Sequence, residues 1–169
     1  MRILIADHNK STIASLEELN PSFEIETGDP LAFDIDAVVS PANTKGIMNG
    51  GYDATLRRYF GVNIEYMAGL YLDKFQIDVG QAIAVKTGHP KVHWLIVTPT
   101  VSVTGEGFSG HGSVSYACAY NAVKVAYKKN VRYLGMTGLG SGVGGLDRRT
   151  SARQQVKGIE DALNEIEHS

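Results

Sequence analysis

Apolar positions along this chain recur with two alternating periods. Arg2 to Ala6 and Phe23 to Thr27 read as short strands, and between them Ile13, Leu16 and Leu19 recur every three residues, as on one face of a small helix. Asp36 to Ser40, DAVVS, is a continuous apolar run bounded by turn residues, the pattern of a central strand buried on both faces. Leu56, Tyr59 and Phe60 predict a short helix, and Ile64, Met67, Tyr71 and Phe75, at steps of 3, 4 and 4, predict a longer amphipathic one. Gln81 to Lys86 and Trp94 to Thr98 read as two more strands, separated by turn chemistry from Thr87 to Lys91. Ser113 is placed to cap a helix carrying Val114, Cys118, Ala122 and Val125 on one face. Arg132 to Thr137 reads as the last strand, and Val156, Ile159, Leu163 and Ile166 mark the last helix. Helix and strand periods alternating in this way predict an α/β fold with three α/β/α layers.

Length and composition narrow the reading. A chain of 169 residues is long enough to bury an ordinary core and too short for two comfortable domains, so a single domain over residues 1–169 is expected. Sixteen basic against eighteen acidic residues leave a formal charge of −2, which provides no polycationic footprint for nucleic acid or an anionic membrane. The lone Cys118 cannot form an internal disulfide, and its place on an apolar helix stripe makes it a buried thiol rather than a nucleophile. No run approaches 18 apolar residues and no leader pattern precedes the first strand. A cytoplasmic, non-membrane protein is therefore expected.

The nineteen glycines gain meaning from their positions. Gly105, Gly107, Gly110 and Gly112 fall in a segment of about a dozen residues after the Trp94 strand, longer than most connections in a compact domain and usually functional at that length. His111 lies in the same segment. In open α/β sheets ligands bind at the carboxyl ends of strands, so the segments after the two most apolar strands are the first candidates. One runs from Pro41 to Asp53, the other from Gly138 to Asp147.

The second segment contains a formal GxGxxG from Gly140 to Gly145. A dinucleotide fingerprint needs a further strand ending in an acidic residue, and only one helix remains before the terminus. A P-loop needs Lys-Ser or Lys-Thr after the glycines, and neither is present. What remains is a glycine-rich run ahead of a helix, whose N–H groups can approach and cradle a phosphate, against the alternative of a surface turn. The first segment offers Asn43 as a two-way hydrogen-bonder, Gly50 and Gly51 as close-approach backbone, and Asp53 as a carboxylate near a helix start. That inventory suits a ribose hydroxyl pair, although local grounds alone favour an Asn turn followed by an Asp helix cap. His89 and His93 are separated by Pro90 on a turn, so they lack metal-ligand geometry, and a lone Lys45 reads as solvated. No metal site and no cofactor are expected.

Together these segments carry a resemblance. Gly28-Asp29 after a strand, Asp36 to Asn43, the Gly50-Gly51-Tyr52-Asp53 turn, Thr87-Gly88, and Gly138 to Gly145 occur in the order found in macro domains, from about Phe23 to the last helix. The chain is most similar to the macro-like branch of bacteria and phages. The resemblance implies a three-layer α/β/α domain with a central mixed sheet that binds ADP-ribose or a derivative. It implies Asp29 at the adenine amino group, Asn43 with Gly50 and Gly51 at the distal ribose, and Gly140, Ser141, Gly142, Val143, Gly144 and Gly145 around the diphosphate. It also implies Asn43 and Asp53 as the catalytic pair where a member hydrolyses at the distal ribose, as on ADP-ribose 1″-phosphate or an ADP-ribosylated protein. The sequence departs from the family in two places: only Gly50 and Gly51 precede Tyr52-Asp53 where hydrolytic relatives have longer glycine runs, and Gly144 stands where many carry an aromatic. The alternatives are a non-catalytic ADP-ribose reader and a macro-like fold retuned to another nucleotide.

Overall fold

The computed structural model describes residues 1–103, 113–139 and 147–169. Among these, six strands form one sheet in the order β2-β1-β6-β3-β5-β4. The strands are β1 (Arg2–Asp7), β2 (Glu24–Thr27), β3 (Ala37–Asn43), β4 (Ile83–Lys86), β5 (Trp94–Val101) and β6 (Tyr133–Met136). All neighbours run parallel except the edge pair of β4 and β5. The sheet is therefore mixed, and the α/β/α expectation holds.

Strand alternation distributes the core between two faces. From β1, Ile3 and Ile5 join Ile13 and Leu16 of α1 (Lys10–Glu17), Cys118 and Ala122 of α4 (Val114–Lys128), and Val156 and Ile159 of α5 (Arg148–Glu167). Leu4 and Ala6 point the other way, towards Leu56 of α2 (Gly51–Phe60) and Ile64, Ala68 and Leu72 of α3 (Val62–Lys74). Ser113 caps α4 by accepting from the Tyr116 N–H, as its position before an apolar run predicts. Cys118 is fully buried, and burial pushes its thiol up to about 11, the state of an inert core cysteine.

Several details differ from the sequence pattern. On α3 the inward face is Ile64, Ala68 and Leu72, with Met67 and Tyr71 half-buried and Phe75 exposed beyond the helix end. Gly69, next to Ala68, lies close to the 43–48 segment: a Cβ on it would stand 3.0 Å from the Lys45 carbonyl oxygen. Leu19 lies past the end of α1 and is exposed, Tyr59 is exposed on α2, and β4 begins at Ile83 rather than Gln81. The central strand does not stop at Ser40. It continues through Pro41 to Asn43, because β6 pairs with Ala37 and Val38 and, among the described residues, leaves that flank of β3 without ladder partners beyond them. A residue lacking an N–H is tolerated in a strand where a flank is unpaired.

Candidate functional site

The chain steps from β1 outward to β2 on one side of β6, and on the other side passes from β3 to the far edge strand β4 and back to β5 beside β3. That reversal is a topological switch point, where the loops at the strand carboxyl ends separate and leave a crevice. A cleft of about 440 Å³ lies there. Its volume is within the range of small-molecule sites. Asp7 from the end of β1, Gly28 and Asp29 following β2, Pro41 on β3, Thr100 on β5 and Thr137 with Gly138 after β6 line it, and Gly50, Gly51, Tyr52 and Thr55 close it from α2.

Each wall is fixed by specific contacts. The Asp7 carboxylate accepts from the Asn9 N–H at 2.9 Å and the Gly138 N–H at 3.0 Å, and its backbone oxygen accepts from the Gly28 N–H at 3.0 Å, so one residue ties the ends of β1, β2 and β6 together. Gly138 lets the wall close tightly: a Cβ there would stand 2.7 Å from Thr12 Cγ2 and 3.4 Å from Asp7 Oδ2, so any side chain would displace Thr12. The buried amide of Gln155 accepts from the Leu139 N–H and donates to the Thr137 oxygen, both at 2.9 Å, while Ser115 Oγ donates to the Leu139 oxygen at 2.7 Å. The backbone entering the glycine-rich segment is thereby held from α4 and α5.

Asp29 faces the cleft and also caps the 3₁₀ turn Pro30–Ala32, accepting from the Leu31 N–H at 2.9 Å and from the Tyr52 hydroxyl at 2.6 Å. Both bonds fall on Oδ1. Gly50 and Gly51 form the start of α2, and Gly51 has φ +58°, which favours glycine. Among the described residues, a Cβ built on either meets nothing within 4 Å. Their backbone is open to a ligand.

Asn43 and Asp53 are arranged differently. Asn43 Oδ1 accepts from the Lys45 and Ile47 N–H groups and its Nδ2 donates to the Ile47 oxygen, so the side chain forms the turn that its residue type permits. Asp53 is only 5% exposed and accepts from Ser40 Oγ at 2.6 Å; it is not a helix cap. Burial raises its carboxyl to about 6, opposed by the Ser40 hydrogen bond and assisted by the charge of Glu65. Glu65 in turn accepts from the Met48 N–H at 2.6 Å and pairs with Arg57 at 3.2 Å, bracing the segment between Asn43 and α2.

Of the residues expected at the site, Asp29, Gly50 and Gly51 share the cleft, whereas Asn43 and Asp53 flank it from the side of β3 and α2. Gly140, Ser141, Gly142, Val143, Gly144 and Gly145, and also His111, lie outside the described residues. Sequence reasoning missed Asp7, Tyr52, Thr55, Thr100 and Thr137. Asp7 was accessible to the carboxyl-end rule, as the last residue of a strand. His89 sits against Tyr59 and Phe60, with Nδ1 taking the Lys91 and Val92 N–H groups, and it stabilises the turn between β4 and β5.

Comparisons with known proteins place this arrangement. An uncharacterized protein of Aquifex aeolicus is 31% identical over 80% of this chain and 79% of its own length. Among solved structures, the macrodomain of Mycobacterium tuberculosis DarG superposes with a TM-score of 0.66 at 22% identity, covering 79% of this chain and 87% of that one. Thermosipho africanus DarTG in complex with ADP-ribose gives a TM-score of 0.65 at 14% identity, covering 94% of this chain and 50% of that one. Residues 39–155 match the Macro domain model, and with the sheet order and the cleft at its switch point this chain belongs to the Macro domain family.

Proposed function

We propose that the cleft binds ADP-ribose or an ADP-ribosyl derivative and that the protein hydrolyses it at the distal ribose. The carrying observation is the combination within one cleft of the Asp29 carboxylate, with Oδ2 free of hydrogen bonds among the described residues, and the open Gly50-Gly51 backbone. The carboxylate suits the amino group of adenine, and the open backbone suits a sugar that must approach closely. The ADP-ribose complex of the structurally similar DarTG supports the same ligand. Removal of a 1″-phosphate and cleavage of an ADP-ribosylated protein are the two candidate reactions. A carboxyl group raised to about 6 is tuned for acid–base work near neutral pH, and Asp53 is joined to β3 through Ser40.

A second reading, a module that binds ADP-ribose without turnover, is favoured by the burial of Asp53 and by the engagement of the Asn43 amide in its own turn. Calorimetry against ADP-ribose, its 1″-phosphate, AMP and NAD, followed by product analysis of the same mixtures, separates the two. Release of phosphate, or of ADP-ribose from a modified protein, supports the hydrolase; tight binding of ADP-ribose with no product from either substrate supports the module. Failure to bind ADP-ribose overturns both.

A further inference from the structure

The acid that faces the cleft is braced by a residue of the opposite wall. Tyr52, in the first turn of α2, donates its phenolic proton to Asp29 Oδ1, and the Leu31 N–H donates to the same oxygen. Two donors from separate elements hold one oxygen, so the carboxylate cannot rotate without breaking both bonds. Oδ2, without a hydrogen bond among the described residues, is then an acceptor of fixed position. Both side chains line the cleft.

Resting on the ADP-ribose reading above, we infer that Tyr52 is a positioning residue that sets the base selectivity of this cleft, fixing Asp29 so that Oδ2 favours a nucleobase with an exocyclic amine over one with a carbonyl there. An amine donates to that oxygen. A carbonyl places two acceptors face to face, and the mismatch costs most when the carboxylate cannot turn away. Burial and the neighbouring Asp29 push the Tyr52 phenol well above its ordinary range, so the brace keeps its proton throughout the physiological pH range. The ring forms part of the wall independently of its hydroxyl, which allows the two contributions to be separated.

The test uses Tyr52→Phe, which deletes the oxygen and keeps the ring, and measures calorimetric affinities for two pairs, ADP-ribose with inosine diphosphoribose and AMP with IMP. Wild type is expected to prefer the adenine member of each pair by about tenfold or more, the range of a charge-assisted hydrogen bond. Tyr52→Phe is expected to keep its melting temperature and lose most of that preference. Because Tyr52 acts through Asp29, adding Tyr52→Phe to Asp29→Ala should change the ratio no further. A purely structural role would lower affinity for both members of a pair and leave their ratio unchanged, which overturns the inference. Equal affinity for AMP and ADP-ribose, with the base preference still dependent on Tyr52, overturns the ADP-ribose reading and supports the inference. Binding of none of the four nucleotides overturns both.

Discussion

Ser40 Oγ donates a 2.6 Å hydrogen bond to Asp53 Oδ1 where β3 meets the first turn of α2, and both residues are at least 95% buried. The bond places a carboxyl group behind the cleft wall, between the strand carrying Pro41 and the turn carrying Gly50 and Gly51. Its consequences extend from stability to turnover.

The first consequence is a pH dependence of folding. Burial raises the Asp53 carboxyl from 3.8 to about 6, so the folded protein holds a proton there that the unfolded chain releases. The stabilising contribution is complete below pH 3.8 and is lost as pH rises through 6. A difference of about two pH units corresponds to about 3 kcal/mol. Asp53→Asn, whose side-chain oxygen still accepts from Ser40, should match wild type near pH 4 and become more stable by up to about 3 kcal/mol at pH 8. Denaturant unfolding at several pH values measures the gap, and a constant gap would rule out the raised carboxyl.

The second consequence separates the two functional readings. If Asp53 exchanges a proton during hydrolysis, its loss affects the transition state more than the bound ground state. Asp53→Asn is expected to keep ADP-ribose affinity within about tenfold while lowering product release by about a hundredfold or more, the usual worth of acid–base assistance. Equal turnover by the variant would move the catalytic role to another residue, with His111 the next to replace.

Legibility in the sequence followed the range of the interactions involved. Ser113 as a cap and Cys118 as a core thiol are set by their immediate neighbours, and the structure has both as expected. The extension of β3 through Pro41 is hidden in the sequence because proline normally ends a strand, and the short pairing with β6 leaves a flank that is unpaired among the described residues and accommodates it. On α3 the large side chains suggest a face through Met67 and Tyr71, whereas the most buried stripe is Ile64, Ala68 and Leu72, and the close approach of the 43–48 segment to Gly69 leaves no local pattern. The orientation of Asp53 did have a signal: it precedes the buried Leu56 by three residues on α2, so both share one face. The brace from Tyr52 to Asp29 spans 23 residues and depends on the fold alone.

Gly158 tests the packing that supports the site from below. A Cβ there would stand 2.5 Å from the Tyr116 carbonyl oxygen and 3.3 Å from Ala119 Cβ, so α4 and α5 approach too closely for a methyl group. Alanine ordinarily favours a helix over glycine by about 1 kcal/mol. Overpacking costs about 1 to 3 kcal/mol, and against a backbone atom the upper part of that range applies. Gly158→Ala should therefore lower the melting temperature despite its better propensity; an equal or higher value would mean that the two helices can separate at little cost.

Gly50 gives the cleanest separation of binding from folding. It is the N-cap of α2 with φ −154°, an extended conformation that any residue adopts, and its own lack of a side chain leaves the cap without a hydrogen-bond acceptor. Serine is among the preferred residues at such a position, so Gly50→Ser should hold or raise stability, by up to about 1 kcal/mol. The new Cβ meets no atom of the described residues within 4 Å, and on the ADP-ribose reading it enters the part of the cleft where a ribose approaches the Gly50-Gly51 backbone. ADP-ribose affinity should therefore fall by about tenfold or more, equivalent to about 1.4 kcal/mol, while the melting temperature stays at or above that of wild type. Paired melting and calorimetric measurements read both effects, and undiminished affinity in a protein of unchanged stability would place the distal sugar elsewhere in the cleft.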